Sequence, residues 1–256
     1  MNAFDHKRGS EVEIDGARLY FETHGAPSAP ALVFLHGGLG TIEGFNVLLP
    51  RLTETFHVVG IDTRGHGRST LGDRELSYAL LAQDAWRVID HLGLQSISLV
   101  GFSDGGIAAY RLAARKDPKI RRLVTIGARA ALQPGAAAIF RKTTASGWQE
   151  KFPATYEIYQ RLNPTPDFGR LVPAVVAMWL NSNPSNYPLE QLSAITCPTL
   201  VVRGDDDHLT AREEIFDYVR RIPKAKLSNL PFAGHVAFQE QTDAFMPGLN
   251  RFLSEA

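Results

Sequence analysis

Short apolar runs recur along this chain, each ending in a glycine-rich polar turn, and they alternate with stretches whose apolar residues fall at helical spacing. Residues 11–14 and 17–22 alternate apolar and polar positions around Asp15-Gly16, a dipeptide suited to a two-residue hairpin turn. The chain is therefore expected to open with antiparallel strands. Residues 31–35 and 58–61 are unbroken apolar runs, the mark of strands buried on both faces, with a helix expected between them over 45–52. From Ser77 a longer helix is predicted, because Leu81, Ala85, Val88 and Leu92 share one face and Gly93 stands where a helix would end. A strand over 97–100 leads through a turn into a helix over 107–115, and a further strand follows at 123–126. Strands over 199–203 and 225–230, a helix over 211–221 and a closing helix over 239–253 complete the pattern.

Alternation of strand and helix from residue 31 onward predicts an α/β fold: a mostly parallel, eight-stranded sheet with helices on both faces and a ligand site at the carboxyl ends of the strands. The alternation breaks between residues 128 and 190. That segment is rich in alanine, proline and aromatic residues and has helical patches over 136–142, 156–162 and 172–180. Trp148, Phe152, Tyr159, Met178 and Trp179 make it too apolar for a solvated linker. It is expected to form a helical cap (128–190) inserted in a core made of residues 1–127 and 191–256.

With 256 residues, 44% of them hydrophobic, the chain can bury one large core. Its 27 basic and 27 acidic residues cancel, and no long run of either sign offers a footprint for nucleic acid or an anionic membrane. Residues 1–10 lack the apolar centre of a signal peptide, and no stretch reaches the roughly 20 apolar residues that span a bilayer. A cytoplasmic protein with a small-molecule substrate is the expectation; oligomeric state is not legible. Cys197, the single cysteine, has no internal disulfide partner and no adjacent base, so it reads as a buried thiol.

The chemistry gathers at strand ends. Gly101-Phe102-Ser103-Asp104-Gly105-Gly106 places one serine between small residues where a strand turns sharply into a helix. A serine in a sparsely populated backbone conformation needs such neighbours, and strain of about 1–3 kcal/mol held by the sheet would expose its hydroxyl. A serine hydroxyl is a poor nucleophile unless a base takes its proton, and the base needs an acid to orient it. Ser103, one of the acids Asp205, Asp206 or Asp207, and His235 follow one another in that order, each just past a predicted strand.

By these residues the chain resembles the α/β-hydrolases over nearly its whole length. The signatures are His36-Gly37-Gly38, Asp62-x-Arg64-Gly65-x-Gly67-x-Ser69, Gly101-x-Ser103-x-Gly105, and Gly204-x-x-Asp207 with Gly234-His235. The resemblance implies Ser103 as nucleophile, His235 as base and Asp207 as the acid, with Asp205 and Asp206 shaping the turn. It implies an oxyanion hole from the backbone N–H groups of Gly38 and Asp104, a role that leaves the Asp104 side chain idle, and neither a cofactor nor a metal. It implies carboxylic ester hydrolysis through an acyl-serine. The alternatives are carbon–carbon bond hydrolysis, whose enzymes often carry a tryptophan where this chain has Val236, a hydrolase-like ligand receptor, and a perhydrolase. The hexapeptide at the elbow is similar to that of biphenyl-hydrolase-like valacyclovir hydrolases. His36 is expected to brace the oxyanion loop, and His66 and Arg64 to pack their own loop. His24, His57, His91 and His208 read as surface or loop residues.

Overall fold

The first two strands of the computed structural model, which describes residues 3–254, are β1 (Ser10–Ile14) and β2 (Ala17–His24). Met1 and Asn2 of the opening segment, and Glu255 and Ala256, lie outside the described residues. Asp15 (φ 47°) and Gly16 (φ 75°) both take the left-handed conformation that a tight hairpin turn demands. In chain order β3 (Ala31–Leu35), α1 (Leu49–Leu52), β4 (His57–Ile61), α2 (Tyr78–His91), β5 (Ile97–Phe102), α3 (Asp104–Ala113) and β6 (Ile120–Ile126) follow. Four helices then precede β7: α4 (Pro134–Phe140), α5 (Ala145–Lys151), α6 (Pro153–Leu162) and α7 (Phe168–Leu180). The chain closes with β7 (Thr199–Gly204), α8 (Arg212–Arg221), β8 (Ala225–Leu230), α9 (Ala237–Glu240) and α10 (Thr242–Ser254).

These strands form one eight-stranded sheet in the order β1-β2-β4-β3-β5-β6-β7-β8. β1 and β2 are antiparallel, β2 runs antiparallel to β4, and every pairing from β4 to β8 is parallel. Because side chains alternate across a strand, the apolar runs feed two cores. Val33, Leu99 and Leu123 pack with Leu81, Val88, Ile107, Leu112 and Ile215 from α2, α3 and α8. Leu32, Phe34, Val100 and Val124 pack on the other face with Leu49, Leu52, Phe245 and Leu249 from α1 and α10. Among the described residues no helix is long and apolar enough to cross a membrane.

Several boundaries differ from the sequence expectation for identifiable reasons. The helix expected over 45–52 is a 3-10 turn (Ile42–Phe45) followed by the single turn α1, because Pro50 has no N–H to give and opens a helix instead of continuing one. The closing helix is two, α9 and α10, since Gln241 leaves the helical region (φ −131°, ψ 49°). α5 has no buried residue and hence no apolar period to read. β2 runs on to His24, opposite Val58, and His57 lies buried in β4, so neither histidine is a loop residue. Cys197 is half-buried.

An N-terminal arm is the element that hydrophobic patterning did not show. Phe4 packs fully buried against Gly60, and its backbone N–H and carbonyl both bond the Asn46 amide, at 2.8 and 2.9 Å. His6 follows, with Nδ1 2.7 Å from Glu43 and Nε2 2.8 Å from Asp62. Burial would lower the His6 pKa, but the hydrogen bonds and charges of the two carboxylates override it and raise it from 6.5 to about 9. A group whose pKa is raised on folding stabilises fully below its unfolded value and loses that contribution as pH rises through the folded one. The part of stability due to His6 is thus complete below about pH 6.5 and gone above about pH 9. Thermal unfolding of wild type and His6→Gln across pH 6 to 10 should show the gap between them closing as pH rises; a gap that stays constant would contradict the charged arm.

Candidate active site

β5 delivers Ser103 to the carboxyl edge of the sheet and α3 begins at the next residue. Ser103 has φ 50° and ψ −117°, outside the regions open to ordinary side chains. Two hydrogen bonds hold it there: its own N–H donates to the Ile126 carbonyl at 2.9 Å, and the Gly105 N–H donates to the His36 carbonyl at 3.0 Å. Only glycine fits at 105, since a Cβ would collide with the Leu35 carbonyl of the neighbouring strand. The turn therefore lies tight between β3 and β6 with its hydroxyl half-buried.

His235 lies in the loop after β8, its Nε2 3.1 Å from Ser103 Oγ. Its Nδ1 lies 3.0 and 3.1 Å from the two Asp207 oxygens. The Asp207 carboxylate can only accept, so Nδ1 carries the proton and Nε2 is left free to accept from the serine. Asp207 is buried and also accepts from the Leu209 N–H (2.8 Å) and Thr210 hydroxyl (2.6 Å). Burial opposes its charge, yet these hydrogen bonds and His235 hold its pKa down to about 2. Arg203 fixes the loop by donating to the backbone carbonyls of Thr210, Asp205 and Asp207. Gly204 is pressed against the Gly234 carbonyl, so the loops after β7 and β8 can meet only if residue 204 has no side chain.

The other two aspartates point elsewhere. Asp205 bonds Arg212 Nε and Asn229, both at the outer face, and Asp206 is exposed. Ser103, His235 and Asp207 are thus brought into one line of hydrogen bonds, while Asp205 and Asp206 are not. His208 is exposed, its ring 6.3 Å from that of His235. Among the described residues no group of three or more His, Cys, Asp or Glu side chains is placed to hold a metal ion.

The loop after β3 lies across the elbow: Gly37 faces the Phe102 ring and Ser103, and Gly38 faces the Asp104 carboxyl and Trp179. The Asp104 N–H is the first of α3, and the first four N–H groups of a helix have no partner within it. His36 beneath donates from Nδ1 to the Gly37 carbonyl (2.8 Å) and accepts at Nε2 from the Thr63 N–H (3.0 Å). Burial lowers its pKa to about 4, which keeps the ring neutral and this tautomer fixed. His66 packs edge-on against it, and Arg64 is fully buried, bidentate to Asp84 with both N···O distances 2.8 Å.

Sequence reasoning missed the surroundings of the Asp104 side chain. It is buried beside Ser103, accepting from the Tyr78 hydroxyl (2.9 Å) and from the Trp179 indole N–H (2.7 Å). Burial pushes this carboxyl above the usual range and the two donors pull against it. The Tyr187 hydroxyl donates to the Trp179 carbonyl at 2.7 Å. The only sequence signal was a lone acid within an apolar turn; its donors come from residues about 26 and 75 positions away.

The sequence model of the α/β-hydrolase fold family matches residues 30–161. The chain belongs to that family. It is 26% identical over 252 residues to the serine hydrolase BPHL of Mus musculus, an alignment covering 95% of this chain and 86% of that one. A protein of Haemophilus influenzae described as an esterase/lipase is 32% identical over 99 residues, a match that spans only 34% of that relative and 39% of this chain. A solved structure of a hydrolase from Pseudomonas aeruginosa superposes with a TM-score of 0.78 at 27% identity, covering 98% of this chain and all of the other (100%).

The crowding at the elbow predicts that Gly105→Ala costs about 1–3 kcal/mol or more by urea unfolding, since an added methyl forces the backbone apart. Gly135→Ala, where nothing lies within 4 Å, should be neutral or stabilising. Equal effects at the two positions would contradict the close packing of the turn on Leu35.

Proposed function

We propose that this α/β-hydrolase cleaves carboxylic esters of small, partly apolar acids through an acyl-Ser103 intermediate. The observation that carries the reading is the continuous chain from Ser103 Oγ through His235 to Asp207, at 3.1 and 3.0 Å. The serine oxygen adds to the ester carbonyl carbon while His235 Nε2 takes its proton. The oxygen of the tetrahedral intermediate accepts from the Gly38 and Asp104 N–H groups; one such donor is typically worth about 100 to 1000-fold in rate. Collapse breaks the bond to the alcohol oxygen, which leaves with the proton from His235. Water then adds to the acyl carbon, giving a proton to the same nitrogen, and the second collapse returns that proton to Ser103 and frees the acid. Asp207 stays ionised throughout and stabilises the imidazolium.

In this reading residues 128–190 form a cap over a core of residues 1–127 and 191–256, and its aromatic side chains line the acyl site. Support comes from Trp179, which reaches from α7 to the residue beside the nucleophile, and from Asn163, whose amide bonds the carbonyls of Gly67 (3.1 Å) and Ser69 (2.9 Å). The mouse relative's description as a serine hydrolase agrees with a serine nucleophile.

The test is turnover of a p-nitrophenyl ester series. Ser103→Ala should lose up to about 10⁶-fold in kcat with the fold retained, and a variant keeping a tenth of wild-type activity would refute the serine mechanism. Asp207→Asn should lose about 10⁴-fold through the wrong histidine tautomer, whereas Asp205→Asn and Asp206→Asn should stay within about tenfold. Wild-type behaviour limited to a single turnover would instead favour a receptor.

Substitution of Trp148 or Met178 by alanine should shift the preference among acyl lengths, each fitted methylene being worth about 1–3 kcal/mol. A profile of kcat/KM against chain length that is the same in both variants as in wild type would remove the cap from substrate choice.

A further inference from the structure

Arg129 lies three residues past the end of β6, 4% exposed, and its Nε has no hydrogen-bond partner. Its guanidinium carbon is 4.7 Å from the centre of the Phe140 ring in α4, and that ring is 4.7 Å from Trp179, which donates to Asp104 next to the nucleophile. A guanidinium stays charged in a protein and offers five donors in a planar fork. The ring face offsets part of its burial, and the guanidinium also hydrogen-bonds the Tyr187 hydroxyl, so that Nε is the donor left without a partner. Asp104 is the carboxyl on this side, but its two oxygens are already taken by Tyr78 and Trp179 rather than by Arg129. A second buried donor lacks an acceptor in the same aromatic group: the indole N–H of Trp148, whose ring lies 6.3 Å from that of Trp179. Arg129 Nε and the Trp148 indole N–H donate only, so beyond the Tyr187 oxygen they still lack an acceptor, and for a buried cation the matching acceptor is an anion.

On the ester-hydrolase reading, we infer that Arg129 receives a carboxylate carried by the acyl chain, so that the substrates are monoesters of short dicarboxylic acids. The leaving oxygen must face His235 to be protonated, and on this inference the acyl chain runs toward Trp179, which lies beside Asp104 and Gly38, and toward Phe140. Burial holds the Asp104 carboxyl above the usual carboxylate range, against the pull of its two donors and of Arg129.

The probes are p-nitrophenyl hemiglutarate and its methyl ester, which have the same chain and scissile bond but differ in the free carboxylate. Wild type should favour the acid by at least about tenfold in kcat/KM, Arg129→Met should bring that ratio down by about tenfold, and Arg129→Lys, which keeps the charge without the fork, should fall between. A purely structural Arg129 would lower both esters together and leave the ratio unchanged, which overturns the inference; so does a wild-type ratio near one, a result that needs no variant. Binding of monomethyl glutarate and of dimethyl glutarate to Ser103→Ala, followed by calorimetry beside ester turnover by wild type, separates this inference from the hydrolase reading. The monoester bound more tightly than the diester, with no ester turned over by wild type, would uphold the anion site and overturn the esterase. Ester turnover with no preference for the acid and no tighter binding of the monoester would do the reverse.

Discussion

The backbone of Ser103 is the constraint on which the rest of the molecule depends. With φ at 50° and ψ at −117° it sits where an unsupported serine would not stay, a cost of about 1–3 kcal/mol. The support comes from both neighbouring strands, through Ile126 of β6 and through His36 just past β3. The parallel sheet thus acts mechanically, holding one turn under strain so that an oxygen faces a histidine which a different strand, β8, has to supply. The distant parts of the site are held as firmly, with Arg203 bonding three carbonyls of the Asp207 loop.

Polar groups buried beneath the site do the same for the loops. Backbone polar groups in a loop covered by other structure must find partners, and Asp62 illustrates how. It is fully buried and accepts from the backbone N–H groups of Ile42 (3.1 Å) and Arg68 (2.9 Å) and contacts His6 Nε2 at 2.8 Å. One carboxylate therefore ties the N-terminal arm, the loop after β3 and the loop after β4 together. Arg64 anchors the same loop to α2 through Asp84. Removing one partner from such a cluster leaves the other buried and unpaired, which is costlier than never having had either.

Helices α4, α6 and α7 share the apolar cluster of the α2 and α3 face, with Phe140, Tyr159, Phe168, Val175 and Met178 continuous with the core. They are less an appendage than a continuation of that core past the strand ends. Trp179 expresses the coupling, since one indole packs against Phe140 and donates to the carboxyl beside Ser103.

Sequence alone determined what depends on neighbours along the chain. An unbroken apolar run marks a strand covered on both faces, and 31–35 coincides with β3 as observed; the more polar run 225–230, bounded by turns, coincides with β8 at the sheet edge. Ser77 caps α2 by accepting from the Leu80 N–H, a local bond legible as local sequence. Ser103, His235 and a triple of acids were legible because each follows a strand and each turn is marked by glycine. What the tertiary structure decided is everything that joins positions far apart in the chain. His6 meets Asp62 across 56 residues, Tyr78 and Trp179 converge on Asp104, and Arg129 is buried under Phe140 with an unpaired Nε. Local patterning carries no record of such meetings, because a buried polar side chain and an exposed one look alike in sequence until folding selects the partner.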